Sequence, residues 1–309
     1  MGIFSRRRRP TPPPPGGHDS VLPTLEADAA DRLMVLAREH LATRGLETTI
    51  NAGYLEADDG EVFGLHNLAA AAARAPEKEW PQMVGTHLDV LLDKPVTEGP
   101  PDPGSVLVRL HRPEEMPSPP EYAAPEVLPG LLAVLAIDTP THVAEPMHLP
   151  EVLPDVQTGM QLALSNLRDL PAPDHDSVLV DQDDPTSRVH VLVTDDYFGA
   201  SRVLVLDEVL EQAGIASPPG GLLLAIPFRH VLVVLPVAGP GVLPGLQWLA
   251  QFAAGEFETQ PGPVTPHVYH RAADGSTSVI TRRGEGGIDV VVEGAFARAF
   301  TDAVEGDED

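Results

Sequence analysis

Gly221-Leu222-Leu223-Leu224-Ala225-Ile226-Pro227-Phe228-Arg229-His230-Val231-Leu232-Val233-Val234-Leu235-Pro236-Val237 is the stretch on which the reading of the fold turns. Two apolar runs of strand length flank a short break at Pro227 to His230. Neither run alternates polar with apolar residues, so each reads as a strand buried on both faces. Leu131 to Ile137 and Val189 to Val193 have the same length and branching. Helical spacing lies between and after them, at Val152, Val156, Met160, Ala163, Leu164 and Leu167, from Ala200 to Ala213, and from Leu243 to Phe252. His267 to His270, Ser276 to Thr281 and Ile288 to Val292 predict a late antiparallel set, followed by a short helix through Phe296 and Phe300. The expectation is an α+β domain over 131–303 with a mixed or antiparallel sheet.

Working outward, Leu33, Leu36, Ala37 and Leu41 recur at helical spacing within Leu25 to Arg44, and Gly45 supplies a stop. Leu46 to Leu65 predicts two strands around Asp58-Asp59-Gly60, and Asn67 to Arg74 an Ala-rich helix. Pro81 suits the first turn of a further helix carrying Met83, Leu88, Leu91 and Leu92. Val106, Val108 and Leu110 alternate as in a half-buried strand. These elements predict a small N-terminal α+β unit over 21–112. Pro95 to Pro129 holds ten prolines, and 113–130 reads as a Pro-rich linker. Residues 1–20 read as a disordered Arg/Pro-rich leader and 304–309 as an acidic tail.

The chain has 309 residues, roughly two domains at about 150 residues each. With 42% apolar and 21% charged residues it has ordinary globular composition, which excludes a wholly disordered chain. No apolar run approaches the ~18 residues of a membrane-spanning helix. The absence of cysteine excludes disulfides, thiolate metal sites and cysteine nucleophiles. The net charge of −26 repels phosphate backbones, which argues against nucleic acid as a partner. Arg6 to Arg9 precede a proline run and no apolar stretch, so they form no secretory signal, and the expected location is cytoplasmic. Ile3 and Phe4 beside those arginines offer at most a weak peripheral contact to an anionic membrane surface.

Motif by motif, the chemistry thins out. Gly199-Ala200-Ser201-Arg202-Val203 approaches the nucleophile elbow G-x-S-x-G but has Val where the strained turn needs its second glycine. Asp195 or Asp196 then serves as a helix cap, and Arg202 pairs with a carboxylate. Gly239-Pro240-Gly241-Val242-Leu243-Pro244-Gly245 has the wrong glycine spacing for a dinucleotide loop, and its prolines remove two N–H donors. Asp174-His175-Asp176 and Asp181-Gln182-Asp183-Asp184 read as a solvated acidic loop, since the ligand order of a calcium loop fails at Val178. His267 and His270 fall on opposite faces of a strand, and His142 and His148 lack a third ligand. No metal and no cofactor is expected.

Three segments carry a resemblance to the YtpQ-like family, a bacterial domain of unknown function. Asp196 to Leu204 resembles its D-G-Y-x-A-S-R-I-L segment, with Ala200-Ser201-Arg202 in place. Leu222 to Pro227 with Arg229 to Val234 is similar to its A-V-P-x-x-D-V-L-I-I strand pair, and Gly255 to Tyr269 to its G-x-x-P-I-T segment. Helix Val156 to Arg168 fits as well, and Gly64 to Leu68 agrees more loosely. Tyr197, Gly199 and His230 depart from the family pattern, which has Gly, an acidic residue and often Asp there. The resemblance implies a cytosolic two-part α+β protein and no reaction.

Two functional expectations follow. The first is a non-catalytic, acidic binding or adaptor protein, of the chaperone or immunity kind, with a basic protein partner. The alternative is a small-ligand binder or enzyme with a polar cluster at strand ends, drawn from Asp138, Asp196, Ser201, Arg202, Arg229 and His230. Within that cluster Arg202 is expected to be partly buried and paired with Asp196, or with the more distant Asp138.

Overall fold

In the computed structural model the described residues are 19, 21–22, 24–51, 53–58, 60–92, 100–116, 119–139, 143–284 and 287–305. Residues 1–18 and 20 of the predicted leader, residues 306–309 of the predicted acidic tail, His142 and parts of the proline-rich stretch lie outside them, whereas Val304 and Glu305, predicted as tail, end the last helix. The chain divides into two compact units, Met1–Asp93 and Lys94–Asp309. The boundary falls earlier than the sequence predicts, because the strand at 106–111 pairs within the second unit. Among the described residues no helix is long and apolar enough to cross a membrane.

The first unit contains α1 (Ala27–Thr43), β1 (Thr48–Asn51), β2 (Tyr54–Ala57), β3 (Val62–Gly64), α2 (His66–Ala72) and α3 (Trp80–Leu92). Ala30, Leu33, Ala37 and Leu41 form the buried stripe of α1 at the predicted spacing. They share a core with Leu55, Phe63, Leu68, Trp80, Val84 and Leu88. Three antiparallel strands replace the predicted two, since a further turn at Gly53 folds β1 back on β2.

The second unit begins with β4 (Val106–His111), β5 (Glu126–Leu128), β6 (Leu131–Asp138) and β7 (Val143–Ala144). All pair antiparallel on β6, so part of the predicted 113–130 linker is strand. Next come α4 (Val156–Asp169), β8 (Asp174–Leu179), β9 (Arg188–Val193), a 3₁₀ helix at Ala200–Val205, and α5 (Leu206–Ala213). Asp155 caps α4 through Thr158 N–H at 2.7 Å, so the helix starts later than Val152. Finally the chain forms β10 (Leu222–Ala225), β11 (Val231–Pro236), α6 (Val242–Thr259), β12 (Val268–Arg271), β13 (Thr277–Val279), β14 (Thr281–Gly284), β15 (Gly287–Val290) and α7 (Gly294–Glu305).

A six-stranded antiparallel sheet in the order β13-β12-β10-β11-β9-β8 organises this unit. Its two faces explain the unbroken apolar runs. Leu222, Leu224, Leu232, Val234 and Tyr269 face one core, shared with β4, β6, α4 and α5. Leu223, Ala225, Val231, Val233, Leu235 and Val268 face a second core, with α6 and α7. Each strand of the decisive stretch therefore sends alternate residues into different cores, and no position is left for a polar side chain. The fold is α+β, and its larger unit is built on antiparallel sheets. The predicted late set splits: β12 and β13 extend the large sheet, while β14 and β15 form a separate hairpin.

The acidic stretch Asp174-His175-Asp176 is not a loop, as expected from its polarity, but the first half of edge strand β8. An edge strand with polar side chains on both faces hides its period and resists edge-to-edge pairing. Asp181 to Asp184 does form a turn, where Asp184 Oδ1 accepts from Thr186 N–H at 2.8 Å. His267 and His270 point to different partners, as alternation requires. His267 lies near Thr281 Oγ1, whereas His270 bonds the Gly220 carbonyl.

Candidate functional site

Two turns at one end of the six-stranded sheet are laced together. The first follows β9 and runs through Thr194 to Gly199; the second joins β10 to β11 through Pro227 to His230. Thr194 N–H donates to the His230 carbonyl at 2.9 Å, and Ala200 N–H to the Arg229 carbonyl at 3.0 Å. Gly199 makes this approach possible. A Cβ there would stand 2.4 Å from the His230 carbonyl carbon and 2.7 Å from Thr194 Oγ1. No side chain fits.

Asp196 sits within the first turn and satisfies two groups. Its Oδ1 accepts from Phe198 N–H at 2.8 Å, and its Oδ2 accepts from Arg202 Nη2 at 2.5 Å. Arg202 is 3% exposed and Asp196 25%. Arg202 therefore lies in the core, on the 3₁₀ helix that occupies the start of the predicted 200–213 helix, and is held by the expected partner. Its Nε is buried with no acceptor, so this arginine already bears a desolvation cost.

His230 is fixed as a neutral ring. Its Nδ1–H donates to the Asp196 carbonyl at 2.6 Å, with the Thr194 carbonyl at 3.2 Å. Nε2 then accepts from Arg229 Nε–H at 3.0 Å. Burial first, and then the charge of Arg229, lower its pKa below the ordinary value of 6.5. Arg229 in turn lies over the Tyr197 ring, 4.4 Å from its centroid. Its stem passes over Gly262, where any Cβ would come within 2.6 Å of Arg229 Cδ. Tyr197 is 41% exposed, so this face of the cluster meets solvent.

Around this centre stand four more titratable side chains. Asp138, exposed at the end of β6, has its pKa raised by burial of the carboxyl and then by the charge of Asp196. Arg109 Nη1 and His111 Nε2 both meet Glu145 Oε1, at 2.6 and 3.0 Å. Burial alone would raise the Glu145 carboxyl. The His111 hydrogen bond and the charges of Arg109 and His111 overcome that and hold it at about 2. A carboxyl depressed in the folded state stabilises above its unfolded pKa of 4.5 and loses that contribution as pH falls toward 2. The expected loss across that window is on the order of 2–3 kcal/mol, at about 1.4 kcal/mol per pKa unit. Urea midpoints measured from pH 6 to pH 2.5 should fall less steeply in Glu145→Gln than in the parent chain; equal slopes would refute the assignment.

The sequence-predicted residues mostly converge. Asp196, Arg202, Arg229 and His230 are joined by direct hydrogen bonds, and Asp138 lies within electrostatic reach of Asp196. Ser201 stands apart: it is buried at 2% exposure and shares none of these contacts. Sequence reasoning missed Tyr197, Arg109, His111 and Glu145. A usable signal was present at two of them, since Arg109 and His111 are the only polar residues in the run Val106 to His111 and share one strand face.

Among the described residues no group of three or more His, Asp and Glu side chains is placed to hold a metal ion. The protein-family models, the curated proteins and the solved structures give no match to this chain.

Proposed function

We propose that the protein binds a small molecule at the strand-end cluster around Tyr197, Arg229 and His230, and performs no covalent step there. One observation carries this reading: polar groups from three separate strand ends, at Asp138, Asp196 and Arg229-His230, converge beside an exposed aromatic ring. The imidazole and the hydroxyl of the cluster are committed elsewhere. His230 uses both ring nitrogens, so proton transfer would break a hydrogen bond that holds the turns together. Ser201 is buried and touches no base of the cluster.

Heating curves in a library of small metabolites test this proposal. A ligand that raises the unfolding midpoint should lose its effect in Asp138→Asn/Tyr197→Ser, whose exposed side chains can change without loss of the fold. Midpoint shifts that persist in the variant, or a library with no active member, would overturn it.

The charge of −26 supports a second reading, in which the acidic surface captures a basic protein partner. Such capture should weaken as salt shortens the screening length from about 30 Å at 0.01 M to about 8 Å at 0.15 M. Salt-independent recovery would contradict it. Kinship with the YtpQ-like family and a cytoplasmic location belong to the same proposal. A solved member of that family lacking an Asp–Arg pair equivalent to Asp196–Arg202 would count against the kinship.

A further inference from the structure

Arg229 differs from the other half-buried or buried arginines of the larger unit. Arg109, Arg112, Arg202 and Arg271 each meet a carboxylate, on Glu145, Glu114, Asp196 and Asp207 respectively. Arg229 meets none among the described residues, and its only side-chain hydrogen bond runs from Nε to His230. The absence is notable in a chain with forty-six acidic residues and only twenty Lys and Arg. The guanidinium is nevertheless fixed on three sides: the stem by Gly262, the plane by Tyr197, and Nε by His230. What remains is the end-on edge, Nη1 and Nη2, with N–H groups that no acceptor among the described residues takes. Asp196 is already occupied by Arg202, and Glu145 by Arg109 and His111, so neither is free to neutralise Arg229.

We propose that Arg229 is the anchor for a carboxylate group on the small ligand, bound bidentate by Nη1 and Nη2, with Tyr197 offering an apolar face to the rest of the molecule. A planar two-oxygen acceptor matches the planar fork, and its single negative charge matches the single unpaired positive charge. The side-chain entropy of the arginine has already been lost in the free protein, so binding does not incur that cost again. The proposal rests on the ligand-site reading given above and narrows it to one chemical class.

Calorimetric titration of the full chain with benzoate, succinate and inorganic phosphate tests it. Benzoate or succinate should bind, and Arg229→Gln should weaken the binding about tenfold or more, as expected for loss of a charge-assisted bidentate pair worth at least 1.4 kcal/mol. Arg229→Lys should recover only part, because an ammonium lacks the fork. The unfolding midpoint of each variant is measured alongside, so that loss of fold is not mistaken for loss of binding. Carboxylates that bind Arg229→Gln as well as the parent chain would overturn the inference, as would phosphate binding equal to theirs or no binding by any probe. A neutral metabolite that depends on Asp138 and Tyr197 but not on Arg229 would leave the ligand site standing and remove the carboxylate.

Discussion

Arg202→Ala is expected to lower the unfolding free energy by about 3 kcal/mol, toward the lower end of the range for breaking a buried ion pair. The figure is not larger because Asp196 keeps 25% of its side chain exposed, and water partly compensates it once the guanidinium is gone. It is not smaller because Asp196 also holds Phe198 N–H, so the loss of its partner disturbs the turn that carries Tyr197. Arg202→Lys should restore only part of the loss, since an ammonium cannot repeat the Nη2 contact while filling the volume of the planar group. Urea unfolding of the two variants is the measurement. Parent-like stability in Arg202→Ala would show that the residue is not part of the core.

Gly199→Ala should be at least as damaging, at about 3 kcal/mol or more for a methyl forced into a packed site. The backbone at this residue is ordinary, with φ −54° and ψ −49°, so the penalty is one of space alone. The new methyl would meet a backbone carbonyl, which has no rotamer with which to yield. Relief would require the β9 and β10–β11 turns to separate, breaking the Thr194 and Ala200 main-chain bonds. Thermal unfolding with the far-ultraviolet signal as probe reads the loss, and a variant as stable as the parent would mean that the two turns are not in such contact.

The layout of the larger unit was legible where the physics is local. Unbroken apolar runs at Leu222–Ala225 and Val231–Pro236 name strands whose two faces are both covered, and both cores supply the covering. The pairing of Asp196 with Arg202 was legible for a similar reason, since six residues and one turn bring the two side chains together. Edge strand β8 was hidden because its polar face pattern imitates a loop. The unit boundary was misplaced because a pairing between residues 106–111 and 132–137 leaves no mark on either segment alone. The fixing of Arg229 was equally invisible. It depends on Gly262 and Tyr197, each more than thirty residues away and distinguished in the sequence only by side-chain size.

Two neighbouring arginines divide the labour under this proposal, Arg202 holding the fold and Arg229 held ready for a ligand. Side-chain Nε–Hε resonances of the folded protein, followed by nuclear magnetic resonance during a benzoate titration, test that division most directly. The resonance of Arg229 should shift progressively to saturation, while that of Arg202, buried and bound to Asp196, stays in place. Movement of Arg202 with Arg229 unmoved, or no movement of either, would contradict the account.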